Sequence, residues 1–577
     1  MTPPLEPVSK GLRRVAIIGG GSAGMSMVQQ LHQVDPKFRP TIFERRSGFG
    51  GIWRYDPEPG DCEIVFDSRG KPRPVFRLRG DGDASVGKEG GTKSSFQEVR
   101  GYPPSPMYEG LRTNIPKSLM AFNKFAFAST GPVDDRVSCS SFPNRSQVEG
   151  YLRTFGEDSI EEGLSRFARF DTVVTRVERV SNVPGYDHGS GSVWSVQGRS
   201  LKDGKTFEER FDHVVCAGGR CNVPFVPCIP GLENFKGEMM HSAGYRHPER
   251  FRGKTVLVVG NSSSGCDVAR ELSGYLVREF QGSEEWVRDS KTQPPSTGVK
   301  VYHSYEDFES PPPLDYDPRD ETSPDWCKRI KVVPKISRVE EDGSILLQGG
   351  QVLNDVDSIV WGTGYLYDLP YLDHSKEPFR SYPILPRKMR KPSREKAAGE
   401  TQAAVADDAT RSDSGEGAEH DEDEEGTASH LTNLDDWWLF YSADPSLIVL
   451  GAPLRIVPFP FTQIQSRFAA AFWSGKVGEL GKLDRRIPTN RAERWRSKRI
   501  SEEEEEEEED RKVDGKALVD EARCDLGHPS DTAYMESMLE QLPEELRRRD
   551  EGWDRVSEWW NEMRKNNKML RRDELGY

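Results

Sequence analysis

Residues 13–24 read Arg13-Arg14-Val15-Ala16-Ile17-Ile18-Gly19-Gly20-Gly21-Ser22-Ala23-Gly24, and this stretch decides the fold. Arg14 to Ile18 form a short apolar run of β type. It enters a G-x-G-x-x-G turn, after which the pattern turns helical from Ser22 to about Val34. A second β-type run, Thr41-Ile42-Phe43, ends on Glu44, 20 residues after Gly24. Strand, glycine turn, helix, strand and acid in this register make a Rossmann-like βαβ unit that binds a dinucleotide. Gly19 permits the tight turn, Gly21 lets backbone approach a pyrophosphate, and Gly24 lets the helix pack on the strand. The N–H groups at the helix start face the phosphates. Glu44 can accept from a ribose 2′-hydroxyl and would repel a 2′-phosphate. The candidate residues here are Gly19, Gly20, Gly21, Ser22, Ala23, Gly24 and Glu44.

A second unit of the same kind begins at Lys254. Thr255 to Val259 is a strand, Gly260-Asn261-Ser262-Ser263-Ser264-Gly265 is its turn, and Cys266 to about Leu272 continues as a helix. Serine replaces the middle glycine, and a small hydroxyl residue still allows a phosphate to come close. Gly260, Ser262, Ser263, Ser264, Gly265 and Cys266 are therefore candidates for a second nucleotide. Two dinucleotide sites in one chain imply electron transfer between two dinucleotides, usually a nicotinamide and a flavin. Two more β-runs end in small residues, at Ala217-Gly218-Gly219 and at Gly362-Thr363-Gly364. The second nucleotide domain is placed between them, at 226–358. The first domain is then discontinuous, 1–225 and 359–577. The expected fold class is α/β, with two Rossmann-like domains and the second inserted in the first.

The rest of the chain narrows the function classes. It has 577 residues and a net charge of −15. Residues 395–425 carry −10 and residues 501–510 carry −9, which leaves +4 elsewhere. The acidity is local, and no basic stripe of the kind that binds a phosphate backbone is present. No apolar run reaches the 18 residues of a membrane span. The eight cysteines contain no C-x-x-C pair, which argues against a disulfide framework and a structural zinc site. A soluble protein of a reducing, cytoplasmic compartment is expected, with no metal. Residues 61–100 read as a polar loop insertion, residues 387–430 as disordered, and Glu502 to Glu509 as a solvated acidic run. Residues 531–575 read as helical, with Trp553, Trp559 and Trp560 packing.

Between the two turns lies Phe235-Lys236-Gly237-Glu238-Met239-Met240-His241-Ser242-Ala243-Gly244-Tyr245. It fits F-x-G-x-x-x-H-x-x-x-[YF], and on it the chain resembles the class B flavoprotein monooxygenases, specifically the flavin-containing monooxygenase family. Gly50-Gly51-Ile52-Trp53, Leu111-Arg112-Thr113-Asn114-Ile115-Pro116-Lys117 and Thr363-Gly364-Tyr365 resemble further segments of that family. The likeness runs from about 13 to 475 and is strongest to soluble fungal members such as the yeast thiol-specific monooxygenase.

The resemblance implies FAD on the first unit and NADPH on the second. Ile52 and Trp53 would line the flavin side. Thr113 and Asn114 would meet the nicotinamide ribose and the flavin edge. Gly364 and Gln463 would lie at the flavin, the latter on a helix from about Gln463 to Trp473. The implied reaction is N,N-dimethylaniline monooxygenase-like: S- or N-oxygenation of thiols, thioethers or amines by dioxygen through a flavin carbon-4a hydroperoxide. Asn114 is the candidate catalytic residue and His241 a structural one. The implied partners are a small nucleophilic substrate and dioxygen, with no nucleic acid or membrane span, and a homodimer is left open. Where members selective for NADP usually supply an arginine, the strand Val299 to Ser304 offers only His303 and Ser304. Other readings stay open: a Baeyer–Villiger or N-hydroxylating monooxygenase, a pyridine nucleotide–disulfide reductase using Cys216 and Cys221, or a non-catalytic flavoprotein scaffold.

Overall fold

The computed structural model describes residues 11–78, 96–127, 141–181, 193–275, 298–313, 315–386, 427–478, 526–547, 552–553 and 555–576. Two five-stranded parallel sheets organise them. The first runs Leu447–Val449, His213–Cys216, Arg13–Ile18, Phe38–Phe43, Ala168–Arg169. Val15, Ala16 and Ile17 are fully buried, as an unbroken apolar run covered on both faces must be. The helix Ser22–Val34 comes next, with the bounds its periodicity suggests. It packs against the helix Pro458–Trp473 through a buried polar seam. Ser26 Oγ lies 3.2 Å from Ser466 Oγ, Gln463 Nε2 donates to Gln29 at 2.7 Å, and Arg467 donates to Gln30 at 2.9 Å.

The second sheet runs Glu238–His241, Ser358–Trp361, Thr255–Val259, Lys300–Ser304, Ile330–Val333. In each sheet the glycine turn leaves the carboxyl end of a central strand, with the next strand of the chain paired on one side and a much later strand on the other. That is where an open α/β sheet leaves a crevice. The strand Ser358–Trp361, which starts at the expected 358 boundary, pairs with Thr255–Val259 inside the second sheet.

An antiparallel meander of Thr172–Val180, Val193–Ser200 and Thr206–Phe211 completes the first half. Residues 61–100 are not simply a loop. Asp61–Phe66 and Pro72–Arg77 form an antiparallel hairpin, and residues 79–95 lie outside the described residues. Alternation explains it: Cys62 and Phe76 turn inward and join the core around Met240 and Tyr245. Residues 387–426 and the glutamate run also lie outside the described residues, but Thr427–Ala428 is a strand paired with Tyr367 and Asp368. The C-terminal region holds helices Gly527–Glu540, Glu558–Lys565 and Asn567–Leu575. Trp553 and Trp560 pack as expected, whereas Trp559 is 52% exposed. No helix of the described residues is long and apolar enough to cross a membrane.

Candidate functional site

Both glycine turns are built by backbone contacts that exclude a side chain. A Cβ at Gly24 would stand 1.9 Å from the Gly19 carbonyl oxygen, and one at Gly265 would stand 1.7 Å from that of Gly260. Gly19 and Gly260 themselves take φ of +114° and +99°. The helices that leave these turns, Ser22–Val34 and Ser263–Leu272, start without a side-chain cap, so their first N–H groups are left for a ligand.

A cavity of about 470 Å³ joins the two turns. Its wall takes Gly19, Gly21, Ser22, Ala23 and Glu44 from the first, and Ser263 and Ser264 from the second. Ile52, Trp53, Thr113 and Asn114 complete this set. Glu44 is 4% exposed, and its two oxygens accept the N–H groups of Gly20 at 2.5 Å and Arg46 at 2.8 Å. Each oxygen keeps a lone pair for a ribose hydroxyl. The Gly50–Trp53 segment docks on the first turn. Gly50 N–H donates to Gly20 O at 3.1 Å, and a Cβ at Gly51 would stand 3.0 Å from Gly21 Cα. That bare glycine cradle and the uncapped helix fit an FAD pyrophosphate. Across the cavity, the Asn114 side chain donates to Ser263 Oγ at 3.3 Å and so bridges the two halves.

Other expected residues stand behind the wall. Gly20, Gly24, Gly260, Ser262 and Gly265 shape the turns rather than line the cavity. Cys266 is buried, its thiol donating to Asn261 O at 3.1 Å. Gly364 accepts the Nε2–H of His241 at 3.0 Å, while His241 Nδ1 accepts from Ala243 N–H at 3.1 Å. Burial lowers the pKa of His241 to about 3, so the ring is neutral and works as a structural pin between its own strand end and the turn after Ser358–Trp361. The helix expected from Gln463 begins at Pro458, because proline suits a first turn whose N–H groups have no intrahelical partner. This moves Gln463 away from the cavity: it is 1% exposed, bonded to Gln29 and to Asn123 N–H at 2.8 Å. Ile456, Pro458, Phe459 and Thr462 line the wall in its place.

His303 and Ser304 do not face a phosphate. His303 binds Gly260 O at 2.9 Å, with its pKa lowered to about 4 by burial, and Ser304 donates to Pro334 O at 3.0 Å. The cysteine pair is unbonded. Cys216 is sealed in the first sheet, where burial pushes its thiol up to about 12, and Cys221 lines the cavity with its pKa likewise raised by burial. In both, burial disfavours the thiolate that a disulfide reductase needs. Among the described residues no group of His, Cys, Asp and Glu could hold a metal ion.

Sequence reasoning missed Arg45, Arg220, Asp267 and Gly451, which also line the cavity. Arg220 directly follows Gly218-Gly219, and Asp267 lies one turn after Ser263, so position relative to the turns could have marked both.

Comparison with known proteins agrees with this geometry. The family described as flavin-binding monooxygenase-like matches residues 90–287, and the NAD(P)-binding Rossmann-like domain matches residues 17–70. The Arabidopsis thaliana protein flavin-containing monooxygenase FMO GS-OX-like 2 is 28% identical over 81% of this chain and 74% of its own length. GS-OX-like 4 from the same plant is 25% identical over 84% and 80%. Among solved structures, S-allyl-L-cysteine S-oxygenase from Allium sativum superposes with a TM-score of 0.60 at 23% identity, covering 97% of this chain and 93% of that one. Tmm from Pelagibacter gives 0.54 at 20% identity, covering 98% and 91%. Matched at both of its nucleotide-binding turns and over most of its length, the chain is similar to the flavin-containing monooxygenases, oxidoreductases that work with FAD and NADPH.

Proposed function

We propose that this enzyme oxygenates the sulfur or nitrogen of small soft nucleophiles, namely thiols, thioethers and amines, in a reducing cytoplasmic setting that suits its free thiols. The observation that carries the reading is the cavity in which Asn114 bridges the two turns. The name of the garlic structure attaches sulfur oxygenation to this fold. In this reading residues 226–361 hold NADPH, and the segments before and after them hold FAD.

FAD, when bound and reduced by NADPH, supplies the activation of dioxygen. The chain's own residues do the remaining work. Gly19, Gly21 and the start of the Ser22–Val34 helix seat the FAD pyrophosphate, and Glu44 holds its ribose. Ser263, Ser264 and the start of the second helix seat the NADPH phosphates. The Asn114 amide offers a fixed donor and acceptor at the junction of the two cofactors. Ile52, Trp53, Met107, Leu111, Ile456 and Phe459 form apolar wall that keeps water out. The Pro458–Trp473 helix has no side-chain cap, and its first turn faces the cavity, where its dipole favours negative charge. The substrate brings the nucleophile, so the neutral His241 has no proton to transfer and keeps its Nε2–H on Gly364 O.

The function is tested by turnover of a thioether with NADPH under isotopically labelled dioxygen. One labelled oxygen per product is expected, and Asn114→Ala should divert dioxygen to hydrogen peroxide. Failure of NADPH to bleach the bound flavin, or product without label, would overturn the proposal.

A further inference from the structure

We propose that the C-terminal helix Asn567–Leu575 is a positioning element for Asn114, with Asn567 as the residue that acts. The inference rests on the reading of Asn114 given above.

Asn567 is the first residue of that helix and is 7% exposed. Its Nδ2 donates to the main-chain oxygen of Asn114 at 2.8 Å. Its Oδ1 is buried without a partner among the described residues. A buried amide that leaves its oxygen unsatisfied in order to hold one carbonyl is a costly arrangement for mere packing. One turn on, Arg571 is 1% exposed and donates to Asp315 at 2.7 Å and to Asp267 at 3.2 Å. Asp267 sits on the Ser263–Leu272 helix, one turn after the Ser263 hydroxyl that receives the Asn114 side chain.

The contacts therefore close a ring. Asn567 holds the Asn114 peptide, Ser263 holds its side chain, and the Arg571–Asp267 pair ties the two supporting helices together. Asp267 is braced further by Arg270 at 2.7 Å and by the Tyr108 hydroxyl. The helix end is fastened too, since the Tyr275 hydroxyl donates to Leu575 O at 2.8 Å and Glu574 accepts from Ser141 N–H at 2.7 Å. The peptide plane and the side-chain torsions of one residue are coupled through its Cα. Releasing the Asn114 carbonyl thus lets its amide turn at the junction of the cofactors.

The test compares full-length flavin-loaded Asn567→Ala, Asn567→Asp, Lys568→Ala and Asn114→Ala. Lys568 is next on the same helix and donates to Pro312 O at 3.1 Å, away from Asn114. The readouts are hydrogen peroxide released per NADPH oxidised, counted per bound flavin, and the rate of anaerobic flavin reduction by NADPH. Both Asn567 variants are expected to leak peroxide several-fold more than the parent while flavin reduction keeps its rate, and Lys568→Ala should behave as the parent. Asn567→Asp keeps the side-chain volume and covers a failure of the alanine variant to fold. If Asn114→Ala leaks and the Asn567 variants do not, positioning by Asn567 is overturned and the Asn114 reading stands. If Asn114→Ala does not leak, that reading fails and takes this inference with it. Loss of thermal stability with unchanged leakage would make the helix an anchor only, and would also overturn the inference.

Discussion

Single residues carry the sharpest consequences. At Gly265 the obstacle to a side chain is the Gly260 carbonyl 1.7 Å away, which belongs to backbone and cannot swing aside. Gly265→Ala should therefore open the second turn and leave the first untouched. Flavin content should be normal by absorbance, while the rate of flavin reduction by NADPH falls on the order of 10²-fold, as a misplacement of about 1 Å can do. Glu271 makes a different prediction. It is buried beside Gly110, it accepts the Tyr245 hydroxyl at 2.7 Å, and burial raises its pKa to about 7 from an ordinary 4.5. The folded state thus binds a proton that the unfolded chain has released, so stability falls as pH rises from about 4.5 to about 7. Glu271→Gln should flatten that slope and gain about 3 kcal/mol above pH 7, at roughly 1.4 kcal/mol per unit of pKa. Urea unfolding at several pH values measures it, and an unchanged slope would place the titration elsewhere.

The decisive element is the helix Pro458–Trp473, which places its first turn at the cavity and its body against the first Rossmann helix. Arg467 fastens it. Its Nε and Nη2 donate to Leu546 O at 3.1 and 3.0 Å, Nη1 donates to Gln30, and the guanidinium lies 4.4 Å from the Trp553 ring centroid. Arg467→Met keeps much of the volume and strands two buried acceptors, each worth about 1–3 kcal/mol. A loss of about 3 kcal/mol is expected in chemical unfolding, with turnover per bound flavin unchanged. Sequence reading starts this helix five residues late, because Pro458 and Pro460 read as breaks. Proline breaks a helix only where an N–H or a preceding turn is lost, and neither applies in a first turn. The hairpin Asp61–Phe66 with Pro72–Arg77 escapes sequence reading for a related reason. Cys62, Ile64 and Phe66 alternate with Asp61, Glu63 and Val65, and Phe76 pairs with Cys62, but Pro72 and Pro74 interrupt the second strand, so the pattern gains its meaning from the surface it packs on.

On the scale of the whole molecule, two parallel sheets face one cavity, and a ligand shared between them must couple their stabilities. NADP+ at about 100 times its Kd should stabilise the native state by about 2.7 kcal/mol. A thermal shift with the parent enzyme, and little or none with Gly265→Ala, is the expected result. An equal shift in both would mean that the nucleotide binds away from the second turn.

What the amino-acid sequence determined by itself was local. Gly19 to Gly24 and Gly260 to Gly265 could be recognised because tight turns, close backbone approach and free N–H groups depend on neighbours within a few residues. Strand Thr255–Val259 and helix Ser22–Val34 were legible for the same reason, since periodicity and glycine punctuation are local signals. The tertiary structure alone decided which of these residues meet. It brought Asn114 to Ser263 across 149 positions and Asn567 to Asn114 across 453, and it turned Gln463, His303 and Ser304 away from the cavity. Contacts between residues so far apart depend on how sheets and helices pack, and the spacing of residues along the chain holds no record of that.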